Sequence, residues 1–241
     1  MLAGATKREV GTGAGVAENL DPAGKLPERQ FSLNIAYNKS NIIPGLDILA
    51  KFEYLQLNEY IGSPALKLWP NGAFNNAFPE GLIGNPGHFE RRTQLGFSAS
   101  YSNIQNHKIR VGFGHTIEDL YETQETKNFR FVTTASGVGI VPLGQIVDAS
   151  NDPDLVYLLP HKRNLSYVFA QDEWIVAKDW ALTAGVRHDR YSDFGGTTNP
   201  RFALVWDAAY HFVVKCIHGR AFRAPSFSEQ YNANSPGASR S

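Results

Sequence analysis

The sequence predicts an all-β fold in which antiparallel strands form the wall of a transmembrane barrel. Three observations predict it. Stretches of about ten residues alternate apolar and polar side chains, short turns alternate with long connections, and no stretch has the unbroken apolar length of a membrane helix. A strand in lipid needs that alternation. Burying one Leu- or Phe-sized side chain yields roughly 1.5–3 kcal/mol, whereas a charge facing lipid at the midplane costs roughly 2–4 kcal/mol. The rival, a soluble sandwich, would hold large apolar residues on its inner faces and charges outside.

Residues 1–28 are rich in Gly, Ala and charge without a sustained period, and they read as a flexible lead-in. Gly11, Gly13 and Gly15 lack the preceding apolar strand and the following helix that a dinucleotide loop requires. The barrel domain is expected over 29–241. Phe31, Leu33, Ile35 and Tyr37 alternate with Ser32, Asn34 and Ala36, and after a turn at Asn41–Gly45 the pattern resumes with Leu46, Ile48, Ala50, Phe52 and Tyr54. Dense Gly and Pro then make 59–87 a long loop. A second hairpin follows. Leu95, Phe97, Ala99 and Tyr101 oppose Gln94, Gly96, Ser98 and Ser100, and beyond Asn103–His107 the residues Ile109, Val111 and Phe113 oppose Arg110, Gly112 and Gly114. Residues 118–163 read mostly as loop, with an extension of the hairpin at Phe129–Val132.

Leu165–Val176 is a strand whose faces Gln171, Asp172 and Glu173 leave unassigned. Trp180, Leu182, Ala184 and Val186 restore the period, and strands at Arg201–Trp206 and Phe212–Phe222 bring the expected number to about eight. Small residues opposite the apolar ones suit a wet or plugged lumen better than a sandwich core. Parity puts Arg220 on the lipid side, near a rim where its stem can snorkel.

Composition excludes little by itself. Twenty-three basic residues balance twenty-three acidic ones, so no net field points to nucleic acid. The single cysteine, Cys216, excludes an internal disulfide. Seven scattered histidines show no ligand spacing, and no nucleophile elbow, phosphate loop or zinc-protease motif is present, so neither a metal, a cofactor nor a catalytic residue is expected. The start of the chain has no secretory signal pattern, which leaves an intracellular protein or a piece of a longer one.

One stretch is more specific. Gly219-Arg220-Ala221-Phe222-Arg223-Ala224-Pro225-Ser226-Phe227 follows an apolar strand. It closely resembles the signature within the barrel of TonB-dependent outer-membrane receptors, which import iron chelates, cobalamin and some sugars. The resemblance implies a barrel of twenty-two strands, of which this chain covers roughly a third, with short periplasmic turns and long extracellular loops. It also implies a bacterial outer-membrane location among lipid, a small chelate such as a ferric siderophore as substrate, and energy from the TonB system through a plug domain.

Nothing in these residues matches that plug, its TonB box or a terminal strand with a C-terminal aromatic, so a partial barrel is expected. Within the signature, Gly219, Arg220, Phe222, Arg223, Pro225 and Phe227 read as structural, ending a strand and pinning a loop by charge-assisted bonds and ring packing. Loop aromatics Trp69, Phe74, Phe78 and Tyr121, with Phe89 and Phe129, are candidates to stack on a chelate. The alternatives are a passive porin or a barrel enzyme of the outer membrane, and a soluble binding sandwich.

Overall fold

Side chains that alternate in polarity favour extended backbone, and most of the chain adopts it. The computed structural model describes residues 2–11, 25–65, 67–135 and 137–231. Among them run β1 (Leu2–Gly11), β2 (Lys25–Lys39), β3 (Leu46–Glu59), β4 (Lys67–Trp69), β5 (Leu82–Ile104), β6 (His107–Thr134), β7 (Gly137–Asp148), β8 (His161–Ala177), β9 (Trp180–Tyr191), β10 (Gly195–Ala209) and β11 (Phe212–Gly219). Two helical turns complete the set, α1 (Ala73–Asn76) and α2 (Phe227–Tyr231). All eleven strands join one open sheet of order β1-β2-β3-β5-β6-β8-β9-β10-β11, with β4 added to β5 and β7 to β6. Every pairing is antiparallel.

Short turns gather on one rim, where Asn106 and His211 take positive φ (67° and 65°). The long strands β5 and β6 turn at that rim, and their far ends, paired up to Gly84↔Lys127, extend beyond the other. Register settles the faces, because residues directly opposite each other share one. Phe52 faces Leu95, Leu95 faces His115, Phe97 faces Phe113, Phe113 faces Val168 and Ala170 faces Val186. Leu95 is 57% exposed and Phe113 58%, and Val111, Val168, Val186 and Phe202 are exposed beside them. Sandwich packing would have buried these side chains; the sheet instead leaves them as a broad apolar band.

From Tyr101 to Thr93 the band covers eight residue steps, about 27 Å along a strand and about 20 Å in height at barrel tilt, near the ~25 Å of membrane barrels. Its short-turn edge carries Trp180 stacked on Trp206 (4.9 Å) and His107 on Trp174 (5.4 Å), the aromatic rings expected at an interface. Beyond its other edge Arg91 pairs with Asp119 (2.8 Å), where charge meets water.

The opposite face solves the parity of β8. Tyr167, Phe169 and Gln171 lie on it, while Val168, Ala170 and Asp172 face the band. The faces are blurred in sequence because Tyr167 and Phe169 sit on the polar side while Asp172 sits on the band side. Gly112 and Gly114 make room for them. A Cβ on Gly114 would come 2.5 Å from the Tyr167 ring, and one on Gly112 would come 2.5 Å from Phe169. These glycines therefore seat aromatic rings as well as lining a lumen.

Three expectations need correction. Residues 2–11 and 25–28 are strand, not lead-in: β1 pairs with β2 from Leu2↔Asn34 to Gly11↔Lys25, and Arg8 forks onto Glu28 (2.9 and 2.7 Å). No sustained apolar period marks β1, so nothing in the sequence signalled it; residues 12–15 of the Gly-rich stretch lie outside the described residues. Second, much of 59–87 and 118–163 is ordered structure, and the described residues hold eleven strands where about eight were expected. Gly84 is close packing rather than punctuation, since a Cβ there would strike Leu68 at 2.6 Å. Third, β11 ends at Gly219, not Phe222, because Pro225 and the turn into α2 take the chain off the ladder.

The buried core lies beyond the band, in the lobe made by these supposed loops. Phe78, Leu82 and Phe129 form its centre, with Leu68 and Ile140 packed against it. Beside it Lys127 and Glu125, both almost fully buried, pair at 3.0 Å. Lys127 also donates to the Leu155 carbonyl, and Glu125 accepts from the Tyr157 N–H at 2.6 Å. Replacing Gly114 with Val is expected to destabilise the sheet by about 1–3 kcal/mol through overpacking against Tyr167. A lowered midpoint of the heat-dependent gel shift of the refolded protein measures it, with Gly4→Ala on β1, where a Cβ would meet Ser32 Oγ at an ordinary 3.5 Å, as comparison.

Candidate functional site

The signature segment leaves β11 and turns across the polar face of the sheet. Arg220 still donates its N–H to Pro200 (3.0 Å), but the ladder has ended and parity no longer fixes its side. It borders a cavity with Arg110, Gln171, Arg187 and Arg201, which corrects its expected lipid-facing position. Phe222 then packs between Tyr191 (6.0 Å) and Phe194 (5.7 Å).

Ser226 and Glu229 start α2 as a capping box: Glu229 donates its N–H to Ser226 Oγ (3.2 Å) while its carboxylate accepts the Ser226 N–H (2.8 Å). Arg223 forks onto the same carboxylate at 2.9 and 2.8 Å. That fork, with the Ser226 N–H, holds the Glu229 pKa down at about 2.

Arg163 fastens the segment to the wall. Only 2% exposed, it donates Nε to Asp193 (2.7 Å), Nη1 to the Pro225 carbonyl (2.8 Å) and Nη2 to Gln230 (2.9 Å). Its guanidinium also sits 4.8 Å over the Phe227 ring and 5.1 Å over Phe194. Each edge and face of the cation is used. Tyr231 stacks on His161 (3.9 Å) and donates to Asp193 (3.3 Å), so β8, the β9–β10 turn and α2 share one knot.

Sequence reading missed Arg163, Asp193 and Glu229. The Ser-x-x-Glu spacing could have revealed Glu229, whereas Arg163 meets its partners only after the chain has returned 62 residues later. Between this knot and the wall lies a cavity of about 360 Å³, lined by Leu55, Leu57, Arg92, Glu118 and the segment itself.

The candidate ligand aromatics do not act as one surface. Trp69 and Phe74 are exposed, 5.7 Å apart between ring centroids, and Phe74 reaches Phe78 at 5.8 Å. Phe78 itself is 2% exposed in the lobe core, so it supports the Phe74 ring and offers no stacking face. Tyr121 is built into the wall, donating to Asn58 (3.0 Å), with Arg91 over its ring at 5.2 Å. Phe89 and Phe129 are buried.

A family model, TonB dependent receptor-like, beta-barrel, matches residues 10–240. The chain belongs to that family. Its members are receptors of the bacterial outer membrane rather than enzymes, and this chain is a partial barrel of the TonB-dependent type. Among solved structures it resembles a point mutant of the ferric enterobactin receptor PfeA from Pseudomonas aeruginosa. Identity is 13%, the TM-score 0.36, and the match covers 91% of this chain but 36% of that one.

Two outcomes follow from the knot. Arg163→Ala is expected to release residues 223–231 at a cost of about 3–5 kcal/mol, because it strips a buried charge network; Arg163→Lys cannot restore it, lacking the fork. Faster proteolytic cutting in that segment is the readout. Because Glu229 falls from its ordinary 4.5 to about 2 in the folded protein, its contribution is complete above about 4.5 and fades as pH falls toward 2. Cutting should rise over that window, and Glu229→Gln should abolish the pH dependence.

Proposed function

We propose that this chain is part of an outer-membrane receptor that captures a scarce solute, such as a ferric siderophore, outside the cell and admits it with energy from the TonB system. The observation that carries the reading is the band of Leu95, Val111, Phe113 and Val168, large apolar side chains exposed at every second position with no layer over them among the described residues. An apolar band of this height, alternating with a polar face, suits contact with lipid. Family membership supports a receptor.

Solute capture falls to the lobe beyond the band, where Trp69 and Phe74 present adjacent ring faces to solvent. Ring stacking on an aromatic chelate is worth roughly 0.5–1.5 kcal/mol per pair beyond burial. Coupling to TonB runs through a plug domain in the family, and the same arrangement is proposed for the full receptor.

Deleting the gene is expected to abolish growth on one defined chelate as sole iron source, and deleting the TonB system to do the same. Growth unchanged on every iron chelate and on cobalamin would overturn the reading. Trp69→Ala with Phe74→Ala is expected to weaken solute binding about tenfold, equivalent to 1.4 kcal/mol, while leaving the heat-dependent gel shift intact.

A further inference from the structure

We infer that the polar wall of the barrel carries a binding site for a small multivalent oxyanion, formed by Arg110, Arg187, Arg201 and Arg220. The four line one cavity of about 330 Å³ with Phe169, Gln171 and Asn199. Register brings them together. Arg110 faces Gln171, Gln171 faces Gly185 and Gly185 faces Arg201, while in the next row Phe169 faces Arg187 and Arg187 faces Asn199. Gly185 keeps the space between Gln171 and Arg201 open, since a Cβ there would lie 3.4 Å from Arg201 Nε and from Gln171 Cβ.

All four guanidinium groups line the cavity, and among the described residues only that of Arg187 meets a carboxylate. Arg187 lies 3.9 Å over the Tyr167 ring and forks onto Asp189 (2.7 Å). Arg110 stands 5.7 Å over Phe169, and Arg201 donates to the Gln171 side-chain carbonyl. An aromatic face or a neutral amide fixes a cation's plane and leaves its remaining N–H edge for another acceptor. Among the described residues, Asp189 is the one carboxylate that these four arginines bond, which leaves three positive charges around the cavity unmatched. Four cations so placed repel one another unless an anion joins them. Guanidinium forks select carboxylate and phosphate oxygens, and a wall of one sign raises the local concentration of such solutes. The cavity suits a small solute. It draws on the receptor reading only in placing this wall along a solute's path.

Calorimetric titration of the full-length receptor in detergent at about 50 mM salt, a concentration that keeps screening modest, tests the site with tricarballylate and pyrophosphate as probes. Saturable binding is expected for the wild type, weaker at higher salt. Arg187→Gln and Arg201→Gln should each reduce affinity about tenfold, as expected for loss of a charge-assisted bond. Lys178→Gln, in the β8–β9 turn and outside the cavity lining, should leave it unchanged.

Absence of saturable binding by the wild type overturns the site, whether the cavity takes no anion or an acidic segment of the receptor already fills it. Equal affinity in either arginine variant that retains the heat-dependent gel shift also overturns it. A receptor that sustains TonB-dependent uptake yet binds neither probe refutes this site alone; one that binds both without any such uptake refutes the receptor reading alone.

Discussion

Hydrocarbon offers no hydrogen-bond partner to a peptide group, and each group left unpaired there costs several kcal/mol. Everything else in this sheet follows from that constraint. The backbone must run in continuous ladders, and the antiparallel path from β1 to β11 provides them. Side chains are then sorted strictly by parity, one toward lipid and the next away. The large apolar residues that a water-soluble protein would hide are therefore on the outside, and the few buried ones, such as Phe78, Leu82 and Phe129, gather in the lobe beyond the membrane band.

Clearing the wall of a conventional core shifts packing to its polar face. Glycines 112 and 114 receive the rings of Phe169 and Tyr167, and those rings in turn support Arg110 and Arg187. Small residue, aromatic plate and cation form successive layers, each needing the one beneath it. In the sequence this face shows only as glycine-rich and polar, which suggests a wet or plugged lumen and not the rings seated in it.

What could be read in advance, and what could not, divides along the same physical line. Strands with one uniformly apolar face, such as those holding Leu95 to Tyr101 and Ile109 to Phe113, announce themselves because lipid enforces their period. Beyond the membrane that enforcement stops. β7 and the upper part of β6 pair through Phe131↔Ile140 and Thr133↔Val138 without a lipid-imposed pattern, and Gly84 or Pro86 inside β5 looks like loop. The signature stretch was legible as order but not as geometry. Its residues were expected to pin a loop, and the cation that meets the segment, Arg163, stands on β8 in a stretch read as the end of a loop.

That fastening sets where strain goes. Arg163 ties the chain after β11 to β8, three strands in from the sheet's edge, rather than to its immediate neighbour β10. A pull on residues beyond Tyr231 is borne first by the interior of the wall, and β11, whose outer ladder has no partner among the described residues, is spared the peeling load. The segment works as a strain relief, much as a cable is clamped to a housing so that its solder joint carries no tension.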